Sequence, residues 1–213
     1  MALLILPGHP MSKKKQVTPE SRRSHAWRSA VGRQCKWLAL LGLFCLGARA
    51  ALGADLPVSK EYQLKAAFLY NFTKFVEWPP QRFADETSPI VIGVLGENPF
   101  GDELAKIVQG RKVNGRAIAI RPITAAAEAR AVHVVFVCGG AEPQLANAMD
   151  ALRTAGVLTV GESDKFTALG GVITFVLETD KVRFEINQDS GESAGLKISG
   201  QLLKLATAVR RKT

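Results

Sequence analysis

The residues able to do chemistry are few and are spread along the chain. His133 is the only histidine beyond residue 50, it lies inside a predicted strand, and no second histidine or cysteine stands at metal-ligand spacing. Ser163 and Asp164 are adjacent, but no base completes a nucleophilic triad with them. The carboxylates Asp102-Glu103 and Glu162 stand near predicted helix starts, where acidic side chains usually cap the helix. The sequence therefore predicts no catalytic residue, no metal site and no cofactor, and it indicates a protein that is not an enzyme.

Three glycine-containing loops follow predicted strands and are the candidate ligand loops: Gly96-Glu97-Asn98, Gly139-Gly140-Ala141 and Gly161-Glu162-Ser163-Asp164. Each leads toward a helix N-terminus, whose free amides can receive an anion, and open α/β sheets bind ligands beyond their strand ends. The residues assigned to this site are Gly96, Glu97, Asn98, Gly139, Gly140 and Ser163. The glycines match neither the Gly-x-Gly-x-x-Gly nor the Walker A pattern, which argues against a nucleotide. The alternative is that these are ordinary turns in which glycine supplies a positive φ.

Alternating apolar runs predict the elements that position these loops. Strands are predicted at residues 90–95, 117–123, 132–137, 157–160, 172–177 and 182–186, and helices at 60–76, 101–109, 125–130, 143–155, 164–169 and 192–210. The last two strands are joined tightly and predict a hairpin with one antiparallel strand at an edge of the sheet. The last helix is predicted from a stripe at helical spacing: Ile198, Leu202, Leu205 and Val209.

Buried β-branched strands separated by helices indicate a largely parallel sheet that is covered on both faces. The predicted fold is α/β, a single Rossmann-like domain over residues 60–210. It has a mostly parallel sheet of about six strands, helices on both faces, and a C-terminal hairpin plus helix.

Residues 37–50 have the layout of a secretory signal peptide, with an apolar run after basic residues and Ala48-Arg49-Ala50 as the cleavage site. The apolar run is shorter than the roughly 20 residues that a membrane span needs. We expect residues 1–50 to be a cleaved signal peptide and 51–59 a short N-terminal extension; an uncleaved N-terminal anchor is the alternative. The leader holds nine of the 28 basic residues and one of the 19 acidic residues. The excess positive charge therefore lies mainly in the predicted export signal, and no nucleic-acid partner is predicted.

Cys138 is the only cysteine beyond residue 50, so no intramolecular disulfide can form in the exported domain. Such a thiol is either buried and inert or a site of intermolecular pairing. Because Cys138 ends an apolar strand-like run, burial is the expected outcome.

Aromatic residues are concentrated in the first helix and its exit, at Tyr62, Phe68, Tyr70, Phe72, Phe75 and Trp78. The three phenylalanines share a helix face and are expected in the core. Tyr70, Trp78 and Pro79 are the predicted partner-binding residues, because tyrosine and tryptophan anchor protein interfaces best. The alternative is that Trp78 closes the core.

Several segments in a fixed order form a recognisable pattern. The first is the stretch 64–79, which ends in Phe75-Val76-Glu77-Trp78-Pro79. The others are residues 93–101, 110–116, 170–175, 181–187 and 194–199. Together these segments resemble the YfiR family of periplasmic proteins. The resemblance runs from about Tyr62 to Arg210 and is specific for the family, although no segment is a chemical motif.

The resemblance implies a periplasmic, non-enzymatic regulator. It would bind the sensor domain of an inner-membrane signalling protein, a diguanylate cyclase or a kinase, and repress it, lowering cyclic-di-GMP output in the first case. An outer-membrane lipoprotein that sequesters the regulator and a homodimer are further partners that the family implies. Redox control by an intramolecular disulfide does not carry over, because Cys138 is alone. The alternative function is a periplasmic small-ligand binding module that uses the strand-end loops.

Overall fold

The computed structural model describes residues 59–211. The predicted signal peptide, 1–50, and all of the predicted extension except Ser59 lie outside the described residues. None of the helices within residues 59–211 combines the length and the apolar character that crossing a bilayer requires.

Seven α-helices are present in residues 59–211. They are α1 (Lys60–Phe75), α2 (Glu103–Val108), α3 (Glu142–Ala146), α4 (Met149–Leu152), α5 (Asp164–Ala168), α6 (Gln188–Ser193) and α7 (Gly200–Leu205). Short 3-10 turns at Pro80–Arg82 and Ala126–Ala131 complete the helical elements. The Ser59 hydroxyl caps α1 by accepting a hydrogen bond from the Tyr62 N–H, so the longest helix begins where the sequence predicts it.

Ten strands form two sheets in the same part of the chain. They are β1 (Val76–Glu77), β2 (Ile90–Leu95), β3 (Lys112–Val113), β4 (Arg116–Ile123), β5 (Val134–Val137), β6 (Leu158–Gly161), β7 (Ile173–Glu178), β8 (Lys181–Asn187), β9 (Lys197–Ile198) and β10 (Ala208–Arg210). β1 and β9 pair antiparallel, and the other eight form one sheet in the order β10-β8-β7-β6-β5-β2-β4-β3. Strands β4, β2, β5, β6 and β7 are parallel neighbours, which confirms the mostly parallel α/β sheet.

The strand count and the sheet edges differ from the prediction of about six strands. β3 is a two-residue strand that turns back into β4 through Asn114 and Gly115, both at positive φ, so it carries no apolar run to reveal it. The β7–β8 hairpin forms as predicted. However, β8 is not an edge strand, because β10 pairs parallel to it.

The predicted C-terminal helix over residues 192–210 is wrong. In its place α6, β9, α7 and β10 follow one another. Gly195 breaks the helix with a φ of +75°, and the Ser199 hydroxyl starts a new one by accepting from the Leu202 N–H. The apolar stripe is correspondingly divided, since Leu202 is buried whereas Leu205 is 61% exposed.

Two apolar clusters lie on opposite faces of the large sheet. The larger packs α1 against the sheet through Ala66, Leu69 and Phe72, and the smaller lies under α3, α4 and α5. Phe72 stacks on Phe175 of β7 with ring centroids 5.7 Å apart. The first helix is therefore held firmly across β7 and β8, and its N-terminal half reaches the carboxyl ends of the central strands.

Candidate functional site

A cleft of about 560 Å³ opens where β5 and β6 end, beneath the N-terminal half of α1. It is lined by Glu61, Tyr62 and Lys65 of α1, by Gly139, Glu162, Ser163 and Asp164 of the loops after β5 and β6, and by Thr174, Phe175, Val176 and Leu177 of β7. The carboxyl ends of parallel strands are the usual position of a ligand or partner site in such a sheet. The structure therefore brings Gly139 and Ser163 of the predicted ligand loops to one cleft.

A buried lysine forms the base of the cleft. Lys65 is 4% exposed, and its Nζ lies 2.6 Å from Glu162 Oε2 and 2.5 Å from Glu61 Oε1. The same ammonium lies 4.6 Å from the centroid of the Tyr62 ring. Glu61 and Lys65 are one helical turn apart, so α1 supplies one carboxylate and the loop after β6 supplies the other. Two carboxylates and an aromatic face thus neutralise one buried cation.

The second oxygen of Glu162 joins α1 to the loop after β5. Glu162 Oε1 accepts a hydrogen bond from the Tyr62 hydroxyl at 3.1 Å and from the Gly139 N–H at 3.2 Å. Burial and the negative charge of Glu162 raise the pKa of Tyr62 above its usual value. The phenol therefore stays protonated and acts as a donor at neutral pH, which suits a structural clamp and not proton transfer.

Ser163 and Gly140 take part in a second hydrogen-bond network. Glu142 accepts from the Ser163 hydroxyl at 2.5 Å and from the Gly140 N–H at 2.8 Å. Burial by itself raises the pKa of Glu142, but these hydrogen bonds outweigh burial, and the pKa is lowered. Ser163 also caps α5 by accepting from the Phe166 N–H. The Gly140 amide and the Ser163 hydroxyl thus form hydrogen bonds within the protein and stabilise these loops.

The first predicted loop does not line the cleft. Asn98 closes that loop on itself, since its Oδ1 accepts from the Phe100 N–H and its Nδ2 donates to the Gly101 carbonyl. Gly96 has a φ of +99°, and a Cβ there would lie 3.1 Å from the Cβ of Cys138, so this glycine serves a tight turn. Glu97 is exposed in the same turn.

Cys138 is buried, as the sequence predicts. Burial and then the negative charge of Glu162 raise the pKa of its thiol to about 12. A protonated, inaccessible thiol is a poor nucleophile, and this favours the inert alternative over intermolecular pairing.

His133 lies at the amino ends of the strands, away from the cleft. Its Nδ1 accepts a hydrogen bond from the Val91 N–H at 3.1 Å, so the proton is on Nε2, which faces the Arg82 carbonyl. The imidazole stacks on Phe83 with centroids 4.5 Å apart. These contacts give the residue a packing role. Within residues 59–211 no group of three or more histidine, cysteine or acidic side chains could hold a metal ion.

Acidification is expected to destabilise the protein through His133. Burial and then the charge of Arg82 lower the pKa of His133 from 6.5 to about 4. Between these values the unfolded chain binds more protons than the folded one, so stability that is present above pH 6.5 is lost as the pH falls toward 4. Urea unfolding measured from about pH 7 to about pH 4.5 tests this against His133→Gln, whose unfolding free energy should fall less steeply. Equal slopes in the two proteins would contradict it.

The predicted partner-binding residues do not form one exposed patch. Trp78 is 9% exposed, and its Nε1–H donates to the His133 carbonyl at 3.0 Å. Tyr70 is half-buried between the cations of Lys74 and Arg111, and Pro79 is half-buried beside Gly195. The position of Trp78 fits the alternative in which it closes the core.

Sequence reasoning missed the pairing that shapes the cleft. Glu162 belongs to a predicted ligand loop and Lys65 to the first helix, but they are 97 residues apart and no pattern relates them. Leu177 lines the cleft and is 58% exposed, and Leu64, which lines an adjoining groove, is 44% exposed. The one available signal was Lys65 itself, a charged residue between apolar positions of the first helix.

The fold and this cleft define an α/β domain with a strand-end site that is held by charged and aromatic side chains. The chain belongs to the YfiR/HmsC-like family, whose model matches residues 62–207. The family is one of periplasmic regulators without catalytic activity.

Twelve chains of solved structure match. Two of them are a conserved domain protein from Vibrio cholerae O1 biovar El Tor and an ABC domain in complex with L-Trp from Streptococcus pneumoniae. Their sequence identities are 12% and 10% and their TM-scores 0.42 and 0.41. Each match covers 70% of this chain, and the chain spans about 60% of the length of each matched structure. No curated protein matches the chain.

Proposed function

We propose that this protein is a periplasmic regulator that represses an inner-membrane signalling protein by binding its sensor domain. Membership of the YfiR/HmsC-like family over residues 62–207 is the observation that carries the proposal. The regulated protein is a diguanylate cyclase in this proposal, so repression lowers cyclic-di-GMP. A sensor kinase is the other target class that the family offers.

The surface at the cleft supports action by protein contact. Leu177 is a large apolar side chain that stands exposed in the cleft, and Leu64 is exposed beside it in an adjoining groove that Leu177 also lines. Apolar groups ringed by charged side chains are typical of protein-binding surfaces. The Gly139 and Gly140 N–H groups and the Ser163 hydroxyl already donate to carboxylates of the protein itself, which favours a docking surface over an anion cradle.

Export through residues 1–50 is part of the same proposal, because a sensor domain that faces the periplasm is reached only from there. A homodimer and sequestration by an outer-membrane lipoprotein remain proposals that the family supports. Tyr70 is the predicted contact residue that keeps an accessible aromatic ring, between Lys74 and Arg111.

A small-ligand binding module is the second candidate. The cleft volume of about 560 Å³ favours it, because small-molecule sites commonly measure about 300–1,000 Å³. A regulator whose binding of the membrane partner is modulated by a small molecule would combine the two candidates.

Deletion of the gene in its own host, followed by measurement of cyclic-di-GMP, tests the proposal. We expect the nucleotide level to rise and to return to normal when the full chain is supplied. The matched control is a chain that lacks residues 1–50 and therefore stays in the cytoplasm; it should not restore the level. An unchanged nucleotide level after deletion, or restoration by the cytoplasmic chain, would refute the proposal.

A further inference from the structure

One edge of β7 is open inside the cleft. β6 pairs with β7 only at Val160↔Ile173 and Gly161↔Thr174, and there β6 ends. β7 continues to Glu178 and pairs with β8 along its whole length. Residues 175–178 therefore have no strand beside them on the β6 side among the described parts of the chain. An unpaired strand edge offers main-chain donors and acceptors to another extended chain.

The hairpin fixes which main-chain groups point into the cleft. Thr179 and Asp180, with φ of 50° and 60°, form a two-residue turn, so Glu178 and Lys181 are the hydrogen-bonded pair next to it. Hydrogen-bonded and non-hydrogen-bonded pairs alternate along an antiparallel ladder. Phe175 and Leu177 are consequently in non-hydrogen-bonded pairs with β8. Their N–H and C=O groups point away from β8, toward the β6 side. The register Gly161↔Thr174 uses the Phe175 N–H as a donor to the Gly161 carbonyl, so the Phe175 C=O and the Leu177 N–H and C=O, one donor and two acceptors, stay open.

The side chains around this edge present an apolar centre and a basic end. Leu177 and Leu64 are exposed beside it. A second cleft of about 440 Å³ adjoins the first at Glu61 and Leu177, and there three cations, Lys60, Lys181 and Arg183, outnumber the carboxylates of Glu61 and Asp180. None of these three cations forms an ion pair within residues 59–211. An acidic side chain on a bound segment would complement them.

We propose that an extended segment of a partner protein adds to β7 at Phe175 and Leu177 as one further strand. The segment places an apolar side chain against Leu64 and Leu177 and a carboxylate toward Lys181 and Arg183. This inference rests on the proposed function, because it assigns the surface by which the regulator holds its protein partner. Strand addition draws affinity from main-chain hydrogen bonds and specificity from alternate side chains.

The geometry favours an extended chain over other occupants. The open carbonyls of Phe175 and Leu177 lie two residues apart along the strand, about 6.6–6.8 Å, which is the repeat of another strand. The open edge is recessed between α1 and the loop of Glu162, so it admits a single strand.

The test begins with the full exported chain and a phage-displayed library of random octapeptides. We expect selected peptides to share apolar residues at alternate positions together with an aspartate or glutamate. Synthetic copies are then N-methylated one amide at a time. Binding should weaken about tenfold at every second residue and change little at the others, because only alternate amides face β7. Loss without this period of two, or selection of no such peptide, would overturn the proposal.

Two variants at one position separate the main chain from the side chain. Leu177→Pro removes the outward N–H, whereas Leu177→Ala keeps it and removes the apolar side chain. Neither change removes a hydrogen bond to β8, because Leu177 is in a non-hydrogen-bonded pair. We expect the proline variant to bind the selected peptide about tenfold more weakly than the alanine variant. Equal affinities in two variants with native circular dichroism spectra would overturn the proposal. Should the proline variant not fold, the N-methyl series decides alone.

The same variants distinguish failure of this inference from failure of the proposed function. In the deletion host, Leu177→Pro should not restore the cyclic-di-GMP level, whereas Lys112→Ala, an exposed change at the far edge of the sheet, should restore it. Full restoration by Leu177→Pro would show that regulation does not use the β7 edge. A deletion without any effect on the nucleotide would remove the regulatory function, and the peptide measurements would still judge the strand site.

Discussion

Trp78→Ala is expected to lower the free energy of unfolding by about 3–5 kcal/mol, the cost of removing a large buried aromatic side chain. The indole is 9% exposed and meets the His133 imidazole edge to face, with centroids 6.1 Å apart. The substitution also removes one of two donors to the His133 carbonyl, because the Trp78 Nε1–H donates to that oxygen at 3.0 Å while the Leu158 N–H, at 2.9 Å, stays in place. Urea unfolding at neutral pH measures the loss.

Trp78→Phe is the matched control. It keeps most of the apolar area and removes one of the two hydrogen bonds to the His133 carbonyl, so we expect a smaller loss of about 0.5–1.5 kcal/mol. Partner binding by the fraction of Trp78→Ala that remains folded separates the two interpretations of this residue. Normal affinity there would remove Trp78 from the interface. Lost affinity together with unchanged stability would contradict the core assignment.

The central strands were predictable from sequence because each one is a self-contained signal. The runs of β2, β5 and β6 consist largely of apolar, β-branched residues that end near glycine, which is the pattern of strands buried on both faces. That these strands lie parallel in one sheet was predictable too, because helices separate them along the chain. The two-residue strands β1, β3 and β9 carry no such pattern and are defined only by their pairing partners.

The C-terminal segment shows how a periodic pattern can mislead. Ile198, Leu202, Leu205 and Val209 satisfy the helical spacing, but they belong to three different elements. Ser199 and Gly200 begin a new short helix, and the chain then straightens into β10 beside β8. Gly195 ends one helix and Ser199 caps the next, and these local signals outweigh the helical spacing of the apolar residues.

The candidate site was predictable only in its location. Strand-end glycines placed Gly139 and Ser163 at the cleft, because the carboxyl ends of parallel strands meet at one end of the sheet. The residues that give the cleft its chemistry were not predictable, since Lys65 meets Glu162 across 97 positions of sequence. The open edge of β7 depends on where β6 ends relative to β7, and no single segment encodes that difference.

The second large effect is expected at Lys65. Lys65→Met should lower the free energy of unfolding by about 3–5 kcal/mol, because it leaves a carboxylate buried without its cation. The side chain of Lys65 is 5% exposed and that of Glu162 is 11% exposed, so water can replace little of the lost interaction. Glu61→Gln is the matched control. That carboxylate is 34% exposed and water can solvate it, so its loss should cost only about 0–1 kcal/mol.

A double variant shows whether the Lys65 effect comes from the unpaired charge. Lys65→Met combined with Glu162→Gln removes both charges, and the neutral amide can still accept from the Tyr62 hydroxyl and the Gly139 N–H. Stability should therefore return to within about 1–2 kcal/mol of the native protein, because replacing a whole buried ion pair is far less costly than breaking it. The strongly favourable coupling free energy from this double-mutant cycle identifies a buried pair. Additive effects of the two substitutions would instead show that Lys65 and Glu162 are solvated independently, and the cleft would then lack the rigid base that holds α1 against the strand ends.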